Sequence, residues 1–181
     1  MAKKRSACKI AELKYPASDN IKNRTSTIAR SMACTLDSRT PCTSDQEAKW
    51  LKNLEQNKAN LTCAYCGEKA THLDHLYPLI SGIYPTGWSS EPGNLVPCCS
   101  KCNQSKGNQD WKEYMNSDKC KHADNLKDKR IKRIDNLLKS ELQPKQRNWS
   151  DNPEFKKEWE NAYEMCCDAL CSAQNILEKY K

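Results

Sequence analysis

Cys63-Ala64-Tyr65-Cys66 and Cys99-Ser100-Lys101-Cys102 are two C-x2-C pairs, and the residues between and just behind them decide the fold. In order these are His72-Leu73-Asp74-His75-Leu76, Gly93-Asn94-Leu95-Val96-Pro97, and Asn103-Gln104-Ser105-Lys106-Gly107. Each C-x2-C pair offers two thiolates from one tight turn, and two such pairs make the four-sulfur tetrahedral set that zinc prefers. Cys98 adjoins Cys99 and is a rival ligand, but Cys99 has the better spacing. Alternation over His72 to Leu76 predicts a strand, Asn94 to Cys98 predicts its partner, and a helix is expected from Ser100 toward Tyr114. The pattern is strand, long loop, strand, helix, with a metal knuckle fixing the helix start against the strands.

Cys-x2-Cys, Asp-His, Asn-Leu-x-Pro and Cys-x2-Cys-Asn-x2-Lys, in this order over residues 63–107, resemble the HNH endonucleases, the ββα-metal nucleases, in their four-cysteine zinc form. The resemblance covers about a quarter of the chain. It implies an α+β fold: a zinc-stapled ββα-metal core flanked by N- and C-terminal helices. It also implies metal-dependent hydrolysis of DNA phosphodiester bonds, leaving 5′-phosphate and 3′-hydroxyl ends. By the same resemblance His75 is the general base, Asp74 and Asn103 hold the catalytic metal, Asn94 orients the imidazole, and Lys106 contacts the scissile phosphate. Cys63, Cys66, Cys99 and Cys102 hold the structural zinc. Where many relatives end on a histidine ligand, this chain has Asn103.

The residue types suit that chemistry. Histidine titrates close to neutrality and can take a proton from water. A carboxylate and an amide oxygen are hard donors that suit Mg²⁺ or Mn²⁺. Asn94 can accept a hydrogen bond from one ring N–H, which leaves the other nitrogen for water. Neighbours on a strand face opposite ways, so a kink or bulge is expected where Asp74 and His75 serve one phosphate.

Outward from this centre three parts are expected: a basic helical segment (1–60), the nuclease core (61–115) and C-terminal helices (116–181). In the first, Ile10 to Leu13 and Ile21 to Met32 suggest short helices. Ser44-Asp45-Gln46-Glu47 reads as a capping box for a helix that carries Trp50, Leu51 and Leu54 and ends near residues 57–60. In the third, Leu126, Ile131, Ile134, Leu138 and Leu142 predict a basic helix within 121–143. Pro153 opens an amphipathic helix over 153–180, striped by Phe155, Trp159, Tyr163, Cys166, Leu170, Ala173, Leu177 and Tyr180. Cys167 and Cys171, with Cys120 and His122, form a second set whose metal binding the sequence leaves open.

The 181 residues are polar, with 29 % charged, 37 % hydrophobic and a mean hydropathy of −0.95, yet five Trp, seven Tyr and one Phe argue against a disordered chain. No apolar run approaches 18 residues, so no membrane span is expected. Met1-Ala2-Lys3-Lys4-Arg5 is basic with no apolar stretch behind it, so a cytoplasmic, reducing location is expected, where twelve cysteines point to metal rather than disulfides. The net charge of +7 is uneven. Residues 1–43 carry nine Lys/Arg against three Asp/Glu, and residues 121–147 nine against four. Two basic segments therefore flank a near-neutral centre, which suits double-stranded DNA, with Arg130, Lys132 and Arg133 expected on its phosphates. One site cuts one strand, so a homodimer through the 153–180 helix is expected for a double-strand break. A site-specific restriction or defence enzyme is the leading reading, beside a homing or nicking phage nuclease. A non-catalytic zinc-ribbon DNA-binding protein would explain the cysteines and the charge but not Asp74, His75, Asn94 and Asn103 together. An RNA-binding or processing module shares the charge argument.

Overall fold

The computed structural model describes residues 23–37, 41–120, 126–149 and 151–180. The expected helix at Ile10 to Leu13, and His122, lie outside them. The described chain is α+β. It runs α1 (Thr25–Leu36), α2 (Ser44–Asn53), β1 (His72–His75), β2 (Ile80–Ser81), β3 (Tyr84–Pro85), a 3-10 turn (Pro92–Asn94), β4 (Leu95–Cys98), α3 (Ser100–Lys106), α4 (Trp111–Asn116), α5 (Lys127–Leu138) and α6 (Pro153–Glu178).

β1 and β4 pair antiparallel, with His72 opposite Cys98, Asp74 opposite Val96 and His75 opposite Leu95. The first Cys pair sits on a turn that Gly67 closes at φ +85°. Its Ala64 N–H donates to the Pro97 carbonyl at 2.8 Å, which stitches the turn to β4. α3 follows β4 at once. It stops at Gly107, whose φ of +53° breaks the expected run toward Tyr114. The chain restarts as α4, where Asp110 caps the backbone N–H groups of Lys112 and Glu113. α2 starts one residue earlier than the sequence pattern suggests. Thr43 is its N-cap, with Gln46 as the reciprocal partner, and the helix ends at Asn53.

Two apolar clusters organise the molecule. The first holds Trp50, Leu54, Tyr65, Leu76, Val96, Trp111, Tyr114, Met115, Ile134 and Leu137, so α2, α4 and α5 close around β1, β4 and α3. The second gathers Ala29, Ala33, Leu79, Ile80 and Trp159, with Phe155 and Tyr163 partly buried against it. Here α1 and α6 grip the β2–β3 hairpin that the long loop throws out between β1 and β4. Trp159 Nε1 donates to the Ile83 carbonyl at 2.9 Å and anchors α6 on that hairpin. The segment 142–147 crosses the same loop so closely that Gly87 and Gly93 have no room for a side chain beside Arg147 and Leu142.

The amphipathic stripe of α6 thus divides. Phe155, Trp159 and Tyr163 pack within this chain, whereas Leu177 and Tyr180 are exposed. Three of the residues expected at a dimer interface are covered by the protomer's own α1 cluster. Among the described residues no helix is long and apolar enough to cross a membrane.

Candidate functional site

Cys63, Cys66, Cys99 and Cys102 come together with all four sulfurs within 4.8 Å of one another. The hairpin turn supplies two. Cys99 is the N-cap of α3 and Cys102 lies in its first turn, its N–H on the Cys99 sulfur at 3.4 Å. The Cys66 and Cys99 sulfurs are 3.6 Å apart. Zinc–sulfur bonds of about 2.3 Å imply a tetrahedral edge of about 3.8 Å, so the set fits a zinc-sized ion. The electrostatics agree. Thiols this crowded do not all ionise on their own: hydrogen bonds from Cys102 and Cys98 hold Cys63 far below the usual thiol range, whereas burial pushes Cys66 up to about 12. Loading a metal must therefore expel protons, and the site weakens as pH falls. Cys98 is not a member; its sulfur lies 4.0 Å from that of Cys63, behind the set. Cys120 lies within hydrogen-bond reach of Cys102 rather than beside Cys167 or Cys171.

The sequence places Arg130 on DNA phosphates, and the structure turns it inward. Its stripe partners are Ile134 and Leu137, all buried, so the buried face of α5 runs 130–134–137 and carries the guanidinium onto Gly67, next to Cys66. Its Nη1 is the buried side-chain nitrogen left without a partner among the described residues. An orphaned cationic donor beside this turn is what four thiolates around a divalent ion, net −2, would accept. Arg133 is committed as well, with Nε and Nη2 on the Glu55 carboxylate at 2.8 and 2.6 Å. Of the three expected phosphate contacts, Lys132 is the one exposed.

On the other side of β1, Asp74, His75 and Asn103 line one cavity of about 310 Å³, with Arg30, Gln104 and Asn108 on its wall. The β1–β4 register is regular through His75, so no bulge brings Asp74 and His75 together; the strand simply ends at His75. The Asp74 carboxylate is buried, and its Oδ2 accepts from Tyr65 Oη at 2.7 Å and pairs with Lys106 Nζ at 3.1 Å. Burial and the Asp74 charge push the Tyr65 hydroxyl well up, so it stays a donor. Oδ2 is thereby tied to the protein and Oδ1 remains for the cavity.

Two expected roles are corrected by these contacts. Lys106 is 1 % exposed, and its ammonium also donates to the His75 carbonyl at 2.7 Å. It sits on the inner side of α3, where it neutralises Asp74 and ties α3 to β1, and it does not reach out to a phosphate. Asn94 does not touch the imidazole. Fully buried, it accepts from Tyr77 N–H at 2.8 Å and donates to the Tyr77 and Ser89 carbonyls at 3.1 and 3.0 Å. Its amide clamps the two ends of the long loop and so fixes where β1 stops. His75 Nε2 is held at 2.9 Å by Ser90 Oγ. Burial pushes the imidazole below its ordinary value of 6.5; Asp74 and Asp37 oppose that shift, and Arg30 and Lys106 reinforce it. The ring is therefore neutral at pH 7 and able to take a proton.

Residues 63–109 match the family model described as HNH endonuclease. The HNH segment holds the four cysteines and Asp74, His75, Asn94 and Asn103, and its strand–loop–strand–helix course fits the ββα-metal core. The match supports a nuclease-type function. Comparison with curated proteins and with solved structures gave no match. Arg30 and Asp37 lie outside the HNH segment and carry no sequence signal, since one Arg on a helix and one Asp behind it form no motif. What brings them to the site is the packing of α1.

Proposed function

We propose that the chain is a metal-dependent endonuclease that hydrolyses DNA phosphodiester bonds, of the site-specific restriction or defence kind. The observation that carries this reading is the shared cavity: a neutral imidazole, a buried carboxylate and an amide oxygen on one wall, within a segment that matches the HNH endonucleases. Asp74 and Asn103, both oxygen donors, would hold Mg²⁺ or Mn²⁺, which when bound supplies charge neutralisation to the phosphate and the departing oxygen. His75 takes a proton from the attacking water. The water oxygen then bonds to phosphorus as the P–O3′ bond breaks, giving a 5′-phosphate and a 3′ oxygen that takes its proton from solvent. Arg30, exposed on α1 at the cavity wall, and Lys132, exposed on α5, are among the cations that can meet DNA phosphates. The cysteine set takes zinc and acts structurally.

The test is plasmid cleavage with Mg²⁺ and with a chelator. Wild type should convert supercoiled plasmid only with the metal. His75→Ala should cut about 10²–10⁴ times more slowly while still binding DNA and remaining folded. Tight DNA binding without cleavage by wild type under any divalent metal would favour the zinc-ribbon binding protein. The product form reports assembly: linear plasmid without a lasting nicked form indicates two copies acting together, and accumulating nicked circles indicate one.

A further inference from the structure

His75 Nε2 rests on Ser90 Oγ, and Ser90 is held twice by one carboxylate. Its N–H donates to Asp37 Oδ1 at 2.7 Å and its hydroxyl to Asp37 Oδ2 at 2.5 Å. A carboxylate only accepts, and a serine hydroxyl has a single proton. That proton is committed to Asp37, so Ser90 Oγ can only accept from the ring. Nε2 must therefore carry the hydrogen, and Nδ1, which has no hydrogen-bond partner among the described residues, keeps its lone pair.

We infer that Asp37 and Ser90 are positioning residues that lock His75 in the Nε2–H tautomer and aim Nδ1 at the attacking water. This deepens the nuclease reading and rests on it for its consequence in catalysis. Asp37 is the C-cap of α1, just behind Leu36, whose carbonyl accepts from Arg147 at 3.3 Å. The lock on the base is thus supplied by an element outside the HNH segment. The proton taken from water stays on Nδ1, the imidazolium keeps its Nε2–H on Ser90, and no proton passes to Asp37. Asp37 acts through its two hydrogen bonds to one serine. Among the described residues, Asp74, Arg30 and Lys106 are the other charged groups that bear on the ring.

The experiment uses the full zinc-loaded chain with ¹⁵N-labelled histidine, with His72 and His122 assigned by substitution to Gln. NMR should find His75 in the Nε2–H form. Ser90→Ala and Asp37→Asn should mix the tautomers and slow plasmid cleavage about tenfold or more. Ser90→Thr, which keeps the hydroxyl, should restore both. A wild-type Nδ1–H tautomer, or an unchanged tautomer in folded Ser90→Ala and Asp37→Asn, would overturn the inference. The NMR readout needs no DNA. A wild-type chain that shows the Nε2–H lock but leaves plasmid intact would therefore sink the nuclease reading while the lock stands.

Discussion

The two apolar clusters make different contributions to the same cavity. The cluster around β1, β4 and α3 contains the cysteine set and supplies Asp74, His75 and Asn103 from residues close together in sequence. The cluster of α1, α6 and the β2–β3 hairpin supplies none of the four clustered cysteines and none of Asp74, His75 and Asn103, yet it brings Arg30 to the cavity wall and Asp37 to Ser90. The first region assembles the reacting groups and the second orients and charges them. Flanking helices on a small catalytic motif are thus more than ballast, because they determine which face of the base looks at the substrate.

The sharpest way to break this division is to remove the metal set. Cys102→Ser should abolish metal binding and the folding of the first region, since structural zinc contributes about 10–16 kcal/mol of apparent binding energy to small domains. Metal content and far-UV circular dichroism report it, and a folded Cys102→Ser chain that cuts DNA would refute a structural role. Next in size is Lys106→Ala, which leaves Asp74 buried without its cation and should destabilise by about 3–5 kcal/mol, read from the urea midpoint. A stable Lys106→Ala chain that binds DNA weakly would return the lysine to the phosphate. Smallest in stability is Trp159→Ala, about 3 kcal/mol for an aromatic side chain lost from a minor cluster. Here the comparison is sharpened, because metal content should be unchanged while cleavage slows as α1 loses its seat. An unaltered rate would mean that the second region is only a support.

What the sequence made legible was local. The C-x2-C spacing, the alternation over His72 to His75 and the run after Cys102 each state a short-range geometry; β1, β4 and the start of α3 lie within a residue or two of their expected places. The misses are of other kinds. Gly107 ends α3 because the chain must turn there, and only the left-handed φ reveals it. Arg130 lies between the apolar positions of α5 in sequence, whereas its burial beside Ile134 and Leu137 turns it inward. Lys106 likewise sits one turn beyond Asn103, but on the side of α3 that faces β1. The resemblance pairs Asn94 with His75, whereas the loop ends compete for that amide, take both of its N–H donors and donate to its oxygen. Arg30 and Asp37 were beyond reach, since their place depends on contacts between segments far apart in the chain.

That distance has a consequence in time. Ala29 and Trp159 share a cluster although about 130 residues separate them, and contacts so remote close later than local ones. Domains are synthesised N-terminus first, so residues 63–107 emerge and can take up their metal long before Trp159 leaves the ribosome. Until α6 arrives, nothing from it seats α1, and Asp37 has no fixed hold on Ser90. A nascent chain would therefore carry a formed metal centre and an unaimed base, and its capacity to cut the nucleic acid around it would mature only with α6.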